Sequence, residues 1–136
     1  MKVVLDTNVI VSGLLSPFGP AGEIMRLAAS GELELCYDAR IISEYKSVLL
    51  RSKFSFLPES VEDLIDQIRF AGHLTTGRPL AKRLPDRDDE PFLEVAIGGG
   101  ARYLVTGNLK HYPAEKTGGI KILSPAAFLE IYRKQL

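Results

Sequence analysis

Asp6 is the first residue whose type and place suggest chemistry. It ends the apolar run Val3-Val4-Leu5 and is followed by polar Thr7 and Asn8. An unbroken apolar run reads as a strand buried on both faces, as in parallel sheets. Ligands of open α/β sheets bind beyond the carboxyl ends of such strands. A carboxylate at a buried strand terminus is unfavourable unless something positive faces it, and no Lys or Arg occurs between Val3 and Arg26. A divalent cation is therefore a natural partner. The other role open to Asp6 is capping of the helix that follows, through Thr7 and Asn8. Two more acids pass a test of geometry. In a helix opening at Asp88, residues advance about 100° each, so Asp89 falls at the centre of the face formed by Phe92, Leu93 and Ala96, while Glu94 points away. Asp89 suits an N-terminal cap as well as a ligand, and Asp86 and Asp88 compete for both roles. Glu44 borders the stripe Ile41, Ile42, Tyr45, Val48 and Leu49. From there it either reaches a cleft or flanks the core, with weak ion pairs to Lys46, Arg51 or Lys53. Carboxylates in such a group suit Mg²⁺ or Mn²⁺, which take oxygen ligands.

These acids need elements to hold them. Val9–Leu15 reads as a short helix, broken by Ser16-Pro17-Phe18-Gly19-Pro20. Ala21–Ser30 is a second helix, with Gly31 as its stop. Leu33–Tyr37 is the second strand, and Asp38 is placed to cap a helix over Ala39–Ser52. Lys53–Pro58 is a connector bearing Phe54 and Phe56, whose simplest role is packing beneath the loop. Pro58–Gly72 is a helix with Val61, Leu64, Ile65 and Ile68 as its face. His73–Thr76 is a weak third strand, and the Pro-containing stretch Gly77–Arg87 is a loop. Asp88–Ile97 is a helix ended by Gly98-Gly99-Gly100, Arg102–Thr106 is a clear strand, and Gly107-Asn108 turns the chain. Asn108–Gly119 is irregular, Ile120–Leu123 alternates as an edge strand does, and Ser124-Pro125 opens the last helix. Alternating strands and helices predict an α/β three-layer sandwich, a mostly parallel central sheet flanked by helices, as a single domain over residues 1–136.

Composition narrows the function classes. The chain has 136 residues, 46% of them hydrophobic, enough for one real core. Lys plus Arg balances Asp plus Glu at 17 each, which argues against a protein that coats nucleic acid but not against an enzyme gripping RNA with a local patch. The lone cysteine, Cys36, sits in an apolar run, predicting a buried inert thiol. It excludes an intrachain disulfide and fits a reducing, cytoplasmic location. Asp6 and Asn8 interrupt any signal-peptide core, and no stretch of about 18 apolar residues is present to span a membrane. There is no P-loop, no G-x-G-x-x-G after the first strand, no G-x-S-x-G elbow and no Cys/His cluster of zinc spacing. His73 and His111 are isolated, so a structural or surface role is the expectation for each.

Taken together, four motifs resemble those of PIN domains. Val4-Leu5-Asp6-Thr7-Asn8-Val9 is similar to the family's opening, and Glu44 in Ile41-Ile42-Ser43-Glu44-Tyr45 matches its second acid. The stretch from Asp86 to Ala96 resembles the third-acid motif, with Asp89 as the helix-facing aspartate. Ala101–Asn108 resembles the strand and turn that usually end in a fourth acid. The resemblance covers nearly the whole chain and is greatest to toxins of the VapC type or close stand-alone relatives. It implies a metal-dependent endoribonuclease, dimeric, and held inactive by a small antitoxin. It also implies that Asp6, Glu44 and Asp89 hold Mg²⁺ or Mn²⁺, with Asn8 and Thr106 orienting carboxylates or water. The chain departs from the pattern at Asn108, an amide at the fourth acid position, which leaves three acids and bears on a second metal. Lys46, Arg51, Lys53, Arg83, Arg87, Lys110 and His111 are candidates to grip RNA. Two other classes stay open: a PIN fold that binds RNA or protein without cutting, and a receiver-like domain with Asp6 as phosphoacceptor.

Overall fold

Val3, Val4 and Leu5 have no exposed surface, which is what a strand flanked by strands and covered on both faces requires. With Lys2 they form β1 (Lys2–Leu5) in the computed structural model, which describes residues 1–136. The other strands are β2 (Glu34–Tyr37), β3 (His73–Leu74), β4 (Tyr103–Val105) and β5 (Lys121–Leu123). Their order is β3-β2-β1-β4-β5. Every pairing is parallel, so the sheet goes beyond the mostly parallel expectation. The helices are α1 (Thr7–Leu15), α2 (Pro20–Ala29), α3 (Ala39–Leu49), α4 (Pro58–Ala71), α5 (Glu90–Gly99) and α6 (Pro125–Lys134). None is long and apolar enough to cross a membrane.

Crossovers between parallel strands are right-handed. The run β1-β2-β3 therefore sets its helices on one face, and the return from β3 to β4 sets α5 on the other. The contacts agree for α2, which packs against α4 and α6, and for α5, which lies across β1, β2 and β4; α3 touches both α4 and α5, with Tyr45 beside Phe92. Buried apolar side chains from both layers and the sheet join in a single cluster of 31 residues. At about 1.5–3 kcal/mol for each fully buried large side chain, this cluster is the dominant stabilising term.

Local signals set the boundaries. Asp6, Asp38 and Ser124 cap α1, α3 and α6 by accepting from backbone amides. The triple glycine ends α5 as expected, with Gly100 in the left-handed region at φ 68°. The break after α1 folds tightly back, so a side chain at Gly22 would meet the Pro17 carbonyl at 2.0 Å. Several expected boundaries differ: α1 begins at Thr7 because Asp6 caps it, α3 ends at Leu49, and β3 keeps only His73–Leu74. The helix expected from Asp88 opens instead as a 3-10 turn over Arg87–Asp89, and α5 proper starts at Glu90 with Pro91 in its first turn. The irregular stretch after Asn108 holds two short 3-10 turns, Leu109–His111 and Ala114–Lys116.

One topological fact positions the site. The chain leaves β1 toward β2 on one side and leaves β4 toward β5 on the other, so the adjacent β1 and β4 form the point where strand order reverses. A crevice opens beyond the carboxyl ends of strands at such a point. The register pairs Leu5 with Val105, which puts Asp6 and Thr106 side by side at its floor.

Candidate active site

Asp6 is buried at the end of β1, with 4% exposure. Its amide donates to the Val105 carbonyl at 3.0 Å, continuing the sheet one step past the strands. Its carboxylate accepts three hydrogen bonds: from the Thr7 amide at 2.8 Å on Oδ1, and from the Thr106 hydroxyl at 2.9 Å and the Tyr112 hydroxyl at 3.1 Å on Oδ2. Asp6 therefore caps α1 and also faces the crevice; the two roles coexist. The direction of the Thr106 bond is dictated by its neighbours. Thr106 Oγ1 accepts from the Asn108 amide at 3.0 Å and from Asn8 Nδ2 at 3.4 Å, so its one proton goes to Asp6. A carboxylate offers about four lone-pair sites. Three are taken, and one on Oδ1 is left.

Glu44 reaches the same crevice from α3. Its neighbour Tyr45 is fully buried and donates its hydroxyl to the Leu5 carbonyl, which pins α3 to the end of β1. Glu44 is half-buried and accepts the Thr7 hydroxyl at 2.6 Å on Oε2. Asp89 comes from the other side. Asp86 takes the capping role by accepting from the Asp88 amide, and Asp89 makes no capping bond. Its carboxylate is turned inward instead. Asp89 Oδ2 is sealed from solvent without an aligned hydrogen-bond donor, although His111 Nδ1 stands 2.9 Å from it. Burial foremost, and then the negative charge of Asp6, pushes the Asp89 carboxyl up from 3.8 to about 6, against the opposing pull of His111.

The crevice measures about 540 Å³, within the range of clefts that hold small ligands. Asn8, Asn108 and Arg51 also line it. Asn8 Oδ1 accepts the Gly107 amide at 2.8 Å, latching the turn after β4 onto α1, and Asn108 is exposed at the mouth. The other acids near α5 are occupied elsewhere. Glu90 accepts the Leu84 amide and pairs with Arg83 at 2.8 Å, and Glu94 pairs with Arg40 at 2.7 Å. Of the basic candidates, Arg51 and His111 line the crevice, while Lys46 pairs with Glu62 at 2.8 Å and Arg83 with Glu90.

One contributor, Tyr112, is not singled out by the sequence, and His111 takes a different place from the one expected. Tyr112 is 3% exposed, and burial together with the charge of Asp6 drives its hydroxyl far above the ordinary tyrosine range, so it only donates. His111, expected as a structural or surface residue and as one candidate to grip RNA, lines the crevice and faces Asp89. The available signal was their place, within one short turn of Asn108. The donor set is all oxygen, which suits a hard divalent cation. No three His, Cys, Asp or Glu side chains stand close enough to hold one ion as placed. Mg²⁺ binds through one or two carboxylates and keeps several waters. The free lone pair of Asp6 and the Oδ2 of Asp89 are the oxygens open to such an ion, whereas Glu44 is engaged by the Thr7 hydroxyl.

The profile of a family described as PIN domain matches residues 2–110 of the chain. Among solved structures, a chain from the crystal structure of VapBC2 from Rickettsia felis bound to a DNA fragment from their promoter is similar, with a TM-score of 0.60 and 17% identity, over 91% of this chain and 98% of that one. At that identity the likeness is one of fold. No curated protein matches the sequence.

Proposed function

Because this chain belongs to the PIN domain family, we propose that it is a metal-dependent endoribonuclease, the toxin of a toxin–antitoxin pair. The receiver-like reading falls with that membership. The observation that carries the proposal is the convergence of Asp6, Glu44 and Asp89 on one crevice, with a sealed Asp89 oxygen that has no aligned donor. An unpaired buried carboxylate oxygen is unfavourable unless a cation meets it. In this reading Asp6, Glu44 and Asp89 hold Mg²⁺ or Mn²⁺. When bound, such an ion lowers the pKa of a water and offsets negative charge on the scissile phosphate. Thr106 and Tyr112 hold Asp6 in one orientation through its Oδ2. Asn8 keeps the turn carrying Asn108 against the crevice, and the Asn108 amide oxygen accepts a hydrogen bond from water there. Ionised Asp89 is needed to hold a cation, so loading rises with pH through about 6.

RNA, a small antitoxin and a second copy of the chain are the partners in this reading, and the cytoplasm its location. The antitoxin is suggested by the fold likeness to a chain of VapBC2 from Rickettsia felis. Exposed Leu57 and Phe70 on and beside α4, and an apolar cavity of about 140 Å³ lined by Met25, Leu64 and Ile68, supply surface for association. The alternative is a PIN fold that binds RNA or protein without cutting, and the engagement of Glu44 by the Thr7 hydroxyl favours it. Incubating purified protein with mixed RNAs in Mg²⁺, Mn²⁺ or EDTA separates the two. Cleavage that EDTA abolishes supports the nuclease, and intact RNA in all three sinks it.

A further inference from the structure

The acidic crevice has one phenyl ring in its wall. Phe54 and Arg51 line it together with five carboxylates, those of Asp6, Glu44, Asp86, Asp88 and Asp89. Arg51 is the only Lys or Arg among the lining residues, and it pairs with no carboxylate. The ring is held firmly. It stacks on Phe56 with centroids 5.6 Å apart and planes 17° from parallel, and Phe56 packs in turn on the core. The expected role of packing beneath the loop thus falls to Phe56, which leaves Phe54 at the crevice. The turn Ser52–Phe54 that presents the ring ends at Ser55, the only non-glycine residue with positive φ, at 54°. L-residues avoid that conformation, and it recurs where a chain holds a side chain for function. Lys53 Nζ stands over the ring, 5.1 Å from its centroid, at the end of an exposed side chain with no carboxylate partner, so a stacking base has only a flexible, solvated chain to displace.

A rigid aromatic face beside unpaired cations is how proteins hold unpaired nucleotides: the base stacks on the ring and its phosphate meets the cation. We propose that Phe54 is a base-stacking subsite of this crevice, taking the nucleobase next to the scissile phosphate, with Arg51 on the adjoining phosphate. The assignment rests on the ribonuclease reading for its ligand. Arg51 supplies positive charge that offsets part of the repulsion between a polyanion and five carboxylates, and Phe54 supplies contact that does not depend on charge.

The test compares two probes by fluorescence anisotropy in Ca²⁺: a hexa-adenylate RNA and an abasic phosphodiester ladder of equal length. The wild-type chain prefers the RNA by roughly 5- to 100-fold, the range for one stacked base. Phe54→Leu removes that preference and leaves affinity for the ladder unchanged, while Phe54→Tyr keeps it. Arg51→Gln weakens both probes and lowers the salt slope by about one. Unchanged RNA affinity in Phe54→Leu, equal loss on both probes, or no base preference in the wild type would overturn the subsite. Cleavage in Mn²⁺ reports separately on the enzyme. Base preference without cleavage upholds the platform and sinks the nuclease, and cleavage without base preference does the reverse.

Discussion

Asp89→Asn puts the electrostatics of the crevice to a quantitative test. Burial and the neighbouring Asp6 raise the Asp89 carboxyl from 3.8 to about 6. At about 1.4 kcal/mol per pH unit, the ionised form is disfavoured in the folded protein by about 3 kcal/mol. The folded value lies above the unfolded one, so the contribution to stability is fully present below about pH 4 and is lost as pH rises through about 6. At pH 7.5 and without metal, the folded protein carries a carboxylate that it would rather protonate. Asn removes that charge but gives up the His111 contact and adds an amide donor that needs a partner. The expected net is a gain of about 1–2 kcal/mol for Asp89→Asn at pH 7.5, a rise in Tm of roughly 3–8 °C. At pH 4 the wild-type side chain is protonated and the advantage disappears. Calorimetric melting in EDTA at both pH values measures the difference. In Mn²⁺ the order reverses, because the wild type gains by binding and the variant gains less. A variant less stable than wild type at pH 7.5 in EDTA, or an equal advantage at both pH values, would refute the reasoning.

Three further outcomes follow from the same geometry. Asp6→Asn abolishes metal-dependent RNA cleavage yet gains less stability in EDTA than Asp89→Asn, because three donors already satisfy Asp6; retained cleavage in a gel assay counts against Asp6 as a ligand. Tyr112→Phe removes a buried donor and lowers stability by about 1–2 kcal/mol, and calorimetric Mn²⁺ titration shows weaker binding as Asp6 loses one of its supports. Asn108→Asp adds a charge at the exposed mouth of the crevice. It strengthens Mn²⁺ binding by about 1 kcal/mol and raises the Asp89 pKa further; equal affinities in the two proteins place Asn108 outside the metal's reach.

The sequence by itself was enough for the architecture and for the approximate place of the acids. Strand β1 is legible because a strand buried on both faces must be apolar throughout, and Val3-Val4-Leu5 followed by Asp6 has no other good reading. The face of α5 is legible because helical periodicity is local, so Asp89 declared its side of the helix before its neighbours were known. The convergence of Asp6, Glu44 and Asp89 on one crevice came from the family's pattern, since no local rule relates residues so far apart in the chain. What only the tertiary structure decided are contacts that register and crossover create. Thr106 meets Asp6 because Leu5 pairs with Val105. Tyr112 and His111 reach Asp6 and Asp89 because a 3-10 turn swings back over the switch point. Lys46 and Arg83 are drawn to Glu62 and Glu90, and Arg51 is left without a carboxylate. Burial patterns are written residue by residue, whereas hydrogen-bond partners and pKa values depend on which distant segments the sheet order brings together.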